Sequence, residues 1–144
     1  MLDSLQEGVY FNGFREVKML KNSKGEYEFY KGLKIVPVIY IFVSKEPIKR
    51  LVGESPILKI GQTKNFKNRM KTYFSVLDLN SIIDNSKRQT AYHLRNYLDN
   101  KAKSEIKLYF KECITEKLKD EEKELLKVYL DKHYEVPPLN MGLS

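Results

Sequence analysis

The chain has 144 residues, 42% hydrophobic and 12% aromatic, with 26 Lys and Arg against 19 Asp and Glu for a net charge of +7. That length suits one domain with a packed core rather than two, and the aromatic content argues against disorder. One cysteine (Cys113) and two histidines (His93 and His133) exclude a disulfide framework, a thiolate zinc cluster and a His-rich metal site.

No apolar run reaches the ~18 residues of a membrane span. The opening Met1-Leu-Asp-Ser-Leu-Gln-Glu lacks the basic-then-apolar pattern of a signal peptide. The expectation is a soluble cytoplasmic protein with no membrane partner.

In chain order, Phe14–Leu20 and Tyr27–Tyr30 alternate around a turn at Asn22-Ser-Lys-Gly25 and read as a hairpin, either an accessory arm or an edge of the main sheet. Ile35–Val43 is β-branched, aromatic and almost continuously apolar, as a central strand would be, and Pro37 marks its start. A turn-rich linker, Lys45 to Ser55, leads to a second strand, Pro56–Gly61. A helix follows over Asn65–Leu77, with Phe66, Met70, Tyr73, Phe74 and Leu77 at helical spacing. A second helix is expected over Gln89–Leu98, a third strand over Glu105–Phe110 and a last helix over Leu118–Tyr134, stopped before Pro137-Pro138. The expected fold is α+β: a small, central, three-stranded and mainly antiparallel sheet flanked by helices, with an N-terminal hairpin arm over 1–34 and one globular domain over 35–144.

The positive charge is concentrated. Lys45 to Thr72 holds eight basic residues against Glu46 and Glu54, whereas the chain from Asn100 onward holds nine basic and nine acidic residues. A basic middle beside a balanced tail suggests one charged face for a polyanion; a solvated lysine surface is the plain alternative.

The last helix carries an anomaly. At ~100° per residue, Leu118, Leu125, Leu126, Tyr129, Leu130 and His133 share a stripe, and Glu122 lies near its middle while Glu121 and Glu124 point away. A carboxylate aimed inward is costly unless paired or bound to a cation. The alternative is an acidic residue complementing the helix dipole in the first turns. Arg69 flanks the apolar stripe of the Asn65–Leu77 helix, one turn before Tyr73, where it could also simply cover the core edge with its stem.

In order and spacing these segments resemble the GIY-YIG endonuclease family. Val38-Ile39-Tyr40 is similar to the "GIY" element, with Val for Gly, and Lys59-Ile60-Gly61 to "YIG", with Lys for the first Tyr. The segment from Gly61 through Arg69 to Tyr73 resembles the turn and arginine-bearing helix that follow. Glu122-Lys-Glu-Leu-Leu126 resembles the helix with the metal-binding glutamate, and Pro137-Pro-Leu-Asn140 the terminal Pro-x-x-Asn element. The resemblance covers Val36 to Asn140.

The resemblance implies a metal-dependent DNA endonuclease that hydrolyses phosphodiester bonds with one Mg²⁺ or Mn²⁺ ion. Glu122 would hold the metal, Arg69 would bind a non-bridging phosphate oxygen, and Tyr40 would contact or deprotonate the attacking water with its phenol pKa lowered by nearby cations. Tyr73 would position Arg69 or the phosphate; Gly61 and Asn140 would support the site. Lys59 in place of Tyr either removes a water-orienting group, takes over by binding phosphate or accepting a proton, or is a bystander. Lys64, Lys67 and Lys71, on or beside the Arg69 helix, would reach flanking phosphates, and Arg88, Gln89, Tyr92, His93 and Arg95 form a second polar and aromatic cluster that could touch DNA or be an ordinary exposed helix face. The partner implied is double-stranded DNA, and two copies could pair as a homodimer. The alternative function is a catalytically impaired nucleic-acid-binding module on the same scaffold; a basic protein with no nucleic-acid role is the third reading.

Overall fold

The computed structural model describes residues 12–75 and 106–140. The expected Gln89–Leu98 helix, with Arg88 and Arg95, lies outside the described residues.

The architecture is α+β, with four strands where the sequence pattern predicts three. They are β1 (Arg15–Val17), β2 (Val38–Lys49), β3 (Glu54–Thr63) and β4 (Ile106–Glu112), all pairing antiparallel in the order β1-β4-β2-β3. The two helices are α1 (Phe66–Phe74) and α2 (Leu118–His133). No helix of the described residues is long and apolar enough to cross a membrane.

β2 reads as continuously apolar because both its faces are covered. Val38, Tyr40 and Phe42 point into a core with Phe66, Met70, Tyr73 and Phe74 of α1. Ile39, Ile41 and Val43 point the other way, against Leu118, Leu125 and Tyr129 of α2. The sheet is therefore a middle layer with one helix on each face. Asn65 caps α1 through its side chain, which accepts from the Asn68 N–H at 2.9 Å. α2 ends at Tyr134 in the left-handed region, φ 61°, before the prolines are reached.

The N-terminal segment is not a free arm. β1 hydrogen-bonds to β4, placing Arg15 opposite Phe110, and Val17, Met19, Tyr27, Phe29 and Tyr30 pack on the α1-side core. The predicted hairpin shrinks to one bridge, Lys21 with Tyr27, around a turn in which the Asn22 side chain accepts from two backbone N–H groups. Residues Phe29–Gly32 form a 3-10 turn instead of a strand. The short side-chain bonds at Asn22 compete with a longer ladder, and aromatic burial in the α1-side core takes over what cross-strand pairing would have supplied.

The predicted linker Lys45–Ser55 is mostly strand. β2 and β3 run as one long hairpin, broken by bulges after Phe42 and Val43, and turn only at Arg50–Gly53. This divides the basic middle of the sequence: Lys45 and Lys49 lie toward the hairpin tip, whereas Lys64, Lys67 and Lys71 lie beyond its other end. The expected single charged face is two separate groups.

Two positions on α2 also differ from the stripe. Leu130 is exposed, because it lies about 100° around α2 from Tyr129, off the buried line of Leu118, Leu125, Tyr129 and His133, and Glu121 is half-buried and paired with Lys111 at 3.5 Å instead of pointing away.

Candidate active site

The site is built on the outer edge of β3. In an antiparallel edge strand every second residue turns its N–H and C=O outward, and a row of free groups invites pairing with another chain. Here the outward groups of Leu58, Ile60 and Gln62 are taken. The Leu139 N–H donates to Leu58 O at 2.8 Å. Asn140 clamps Ile60 from both sides, its Oδ1 accepting from the Ile60 N–H at 2.9 Å and its Nδ2 donating to Ile60 O at 2.7 Å. At Gln62 the carbonyl accepts from Arg69 Nη1 at 3.3 Å, and the backbone N–H faces the Glu122 carboxylate and favours its charge. Arg69 and Glu122, from helices on opposite faces of the sheet, thus meet at one residue of the edge strand. Gln62 had no sequence signal for this role, because it acts through its backbone.

Gly61 explains the close approach behind this edge. It stands directly across from Tyr40, and a Cβ there would lie 2.5 Å from Tyr40 Cζ and 2.6 Å from its hydroxyl oxygen. Any side chain would drive the Tyr40 ring out of place. With the glycine present, Tyr40 lies flat across β3 and its hydroxyl reaches Tyr73 Oη at 2.7 Å and Arg69 Nη1 at 3.2 Å.

Tyr40 has no solvent exposure and Tyr73 almost none. Burial pushes the Tyr40 phenol well above its ordinary value, the neighbouring Tyr73 adds to the rise, and the Arg69 cation opposes it. Tyr73 is also raised by burial, against the pull of Tyr40 and Arg69. The expected lowering of the Tyr40 pKa is therefore reversed. Desolvation of a phenolate in this core outweighs one adjacent guanidinium. The hydroxyl faces Arg69 and Tyr73 rather than solvent, so Tyr40 and Tyr73 act as a buried pair that orients Arg69. Burial disfavours the Arg69 charge, but the two hydroxyls more than offset this and hold the guanidinium above its ordinary value.

Glu122 is half-buried, and burial raises its carboxyl pKa against the opposing effects of Lys59, Arg69 and the Gln62 N–H. Lys59 sits at the bulge of β3, opposite Phe42. Burial pulls its ammonium down to about 8, Glu122 opposing and Arg69 adding to the fall. One carboxylate and two cations from three different elements thus influence one another at the same edge. The ion pairs formed among the described residues do not include Glu122.

No group of three or more His, Cys, Asp or Glu side chains gathers among the described residues. A cation at this edge would have Glu122 as its protein carboxylate ligand. That donor fits a hard divalent ion of the Mg²⁺ kind, which keeps most of its shell as water or phosphate oxygen, and does not fit a tetrahedral zinc site.

The lysines are placed less simply than expected. Lys67 and Lys71 are each two residues from Arg69, about 200° around α1, so they occupy the opposite flank of the helix. Lys64 is exposed between β3 and α1. The N-terminus of α1 offers no free anion site. Its first four N–H groups go to Val36 O, Lys34 O, the Asn65 side chain and Asn65 O.

No family model, curated protein or solved structure matches the chain. The functional reading rests on the geometry of the β3 edge and on the motif resemblance.

Proposed function

We propose that the protein is a metal-dependent endonuclease of the GIY-YIG kind, hydrolysing phosphodiester bonds in duplex DNA. The observation that carries this reading is the convergence of Arg69, Lys59 and Glu122 at the outer edge of β3, with Asn140 fastening the strand beneath them. These charged groups come from chain-distant elements and each loses hydration at this edge, a cost that functional sites commonly bear.

Arg69 binds a non-bridging oxygen of the scissile phosphate and offsets the charge that grows as the bond to phosphorus forms. Tyr40 and Tyr73 hold its guanidinium in that direction. Lys59, close to half neutral near pH 8, takes a proton from the attacking water or, while charged, holds the phosphate. A divalent ion on Glu122 would supply Lewis-acid polarisation of the phosphate and charge neutralisation at the leaving oxygen. Lys64 lies next to the helix and binds a flanking phosphate; Lys67 and Lys71 do so from the far flank.

The deciding experiment is nicking of supercoiled plasmid with Mg²⁺ or Mn²⁺ by the wild type, Arg69→Ala and Glu122→Ala. The expected result is nicking by the wild type alone. Absence of nicking in every divalent metal, or equal nicking by all three proteins, sinks the reading.

A binding module without catalysis is the second reading, favoured by Lys59 standing beside Arg69 as a further cation. It expects salt-dependent DNA binding without cleavage, unchanged by Lys59→Tyr.

A further inference from the structure

The segment between the 3-10 turn and β2 was not expected to touch DNA. Its backbone is bound to the start of α1: Lys34 O accepts from the Lys67 N–H at 3.3 Å and Val36 O from the Phe66 N–H at 3.1 Å. Lys34 is therefore held against the N-terminal end of α1, beside the backbone of Lys67. Lys34 and Lys71 are exposed and Lys67 half-exposed. Lys31, on the same segment, is instead paired with Glu28 at 2.9 Å. Next to Lys34 in the chain, Ile35 stands 69% exposed. A cluster of exposed lysines suits a polyanion, and an apolar side chain beside them can meet the thymine methyl groups of a major groove.

The flank also has the right separation from Arg69. An α-helix with its side chains is about 10–12 Å across, and the major groove of B-DNA is about 12 Å wide.

We propose that Lys34 and Ile35, at the N-terminal end of α1, form a second duplex-DNA contact together with Lys67 and Lys71 on the flank opposite Arg69. The lysines meet phosphates of the strand across the major groove from the one Arg69 engages, and Ile35 meets the groove wall. This inference rests on the endonuclease reading above and adds a second phosphate row to it.

The test is fluorescence anisotropy with a labelled duplex of about thirty base pairs, in EDTA to prevent cleavage, across a salt series. The proteins are wild type, Lys34→Ala, Ile35→Ser and, as a control on exposed α2, Lys127→Ala, all with matching thermal melts. Lys34→Ala should weaken binding roughly three- to tenfold and reduce the salt slope by about one. Ile35→Ser should weaken it a few-fold with the slope unchanged, and Lys127→Ala should bind as the wild type. Wild-type binding with no loss in Lys34→Ala or Ile35→Ser overturns the second contact and leaves the endonuclease reading standing. No salt-dependent binding by the wild type overturns both. Equal affinity for the same duplex as RNA also overturns the second contact, because the A-form major groove is too narrow to admit α1.

Discussion

The two ends of the β2–β3 hairpin each hold a part-buried arginine, and the two arginines are treated differently. At the tip, Arg50 pairs with Glu135 at 2.8 Å and donates to Val136 O at 2.8 Å, while Glu135 also accepts from the Leu51 N–H and His133 Nδ1 donates to Val52 O at 2.7 Å. That network ties the hairpin turn to the end of α2 and cancels its own charge. At the other end, Arg69 is oriented by neutral partners, Tyr40 and the Gln62 carbonyl, and no ion pair among the described residues cancels its charge. A cation with its direction fixed and its charge unspent is arranged for an anion from outside. Arg50 is arranged for the fold.

Removing each arginine breaks the comparison most directly. Arg69→Ala should lower cleavage at least about a hundredfold, measured as single-turnover plasmid nicking, with the melting temperature nearly unchanged. Arg50→Ala should do the reverse. It strands Glu135, and the expected cost is about 2 kcal/mol once its partial exposure is allowed for, a fall of several degrees in Tm, with the chemical step preserved in the folded fraction.

Gly61→Ala tests whether the phenol pair is positional. The new Cβ collides with the Tyr40 ring, so a loss of about 1–3 kcal/mol in denaturant unfolding should accompany a fall in cleavage. A variant as stable as the wild type would mean that Tyr40 is not confined by β3.

Smaller effects come from the charged groups at the β3 edge. Burial raises Glu122, so the folded state holds its proton longer and loses stability as pH rises through the folded value. Glu122→Gln should therefore leave Tm equal to or slightly above the wild type at pH 7 while removing cleavage, as expected where function costs stability. Lys59 works in the opposite window. Its folded pKa of about 8 lies below the unfolded value, so the unfolded chain binds more protons between them and stability should rise with pH across that range. Lys59→Met should flatten that rise. If Lys59 accepts the proton, wild-type cleavage climbs through about pH 8; a fall there assigns it to phosphate binding. Tyr40→Phe should have the least effect, a few-fold loss in kcat without a new pH dependence, since its hydroxyl orients Arg69. Complete inactivation by this variant would restore the phenol as the base.

Much of the framework was legible from periodicity. β3, α1, β4 and α2 were placed within a few residues because their apolar spacing matches the period of a strand or helix, whereas β2 runs six residues past the expected Val43, where its outward residues turn polar. Of the two readings of the N-terminal segment, the sheet edge holds and the arm does not: Phe14–Leu20 alternates like a hairpin strand, but among the described residues its extended pairing partner is β4, far along the chain. Leu130 was misread because it sits at the border of the apolar stripe, about 100° from Tyr129, and spacing alone does not say how wide a face the sheet covers. In the site, Tyr40, Gly61, Arg69, Glu122 and Asn140 could be named from motif order. Their relations could not, because Gln62 joins them through its backbone and Lys34 reaches α1 through a carbonyl.

By itself the sequence determined the α+β class, the continuously apolar strand and the charged residues available for chemistry, all of which follow from local spacing and composition. Only the tertiary structure decided that Tyr40 is sealed from solvent, that Arg50 is neutralised while Arg69 is not, and that Lys67 and Lys71 lie across α1 from Arg69. The physical reason is that desolvation and pairing depend on which chain-distant groups share a few ångströms, and no local pattern encodes that.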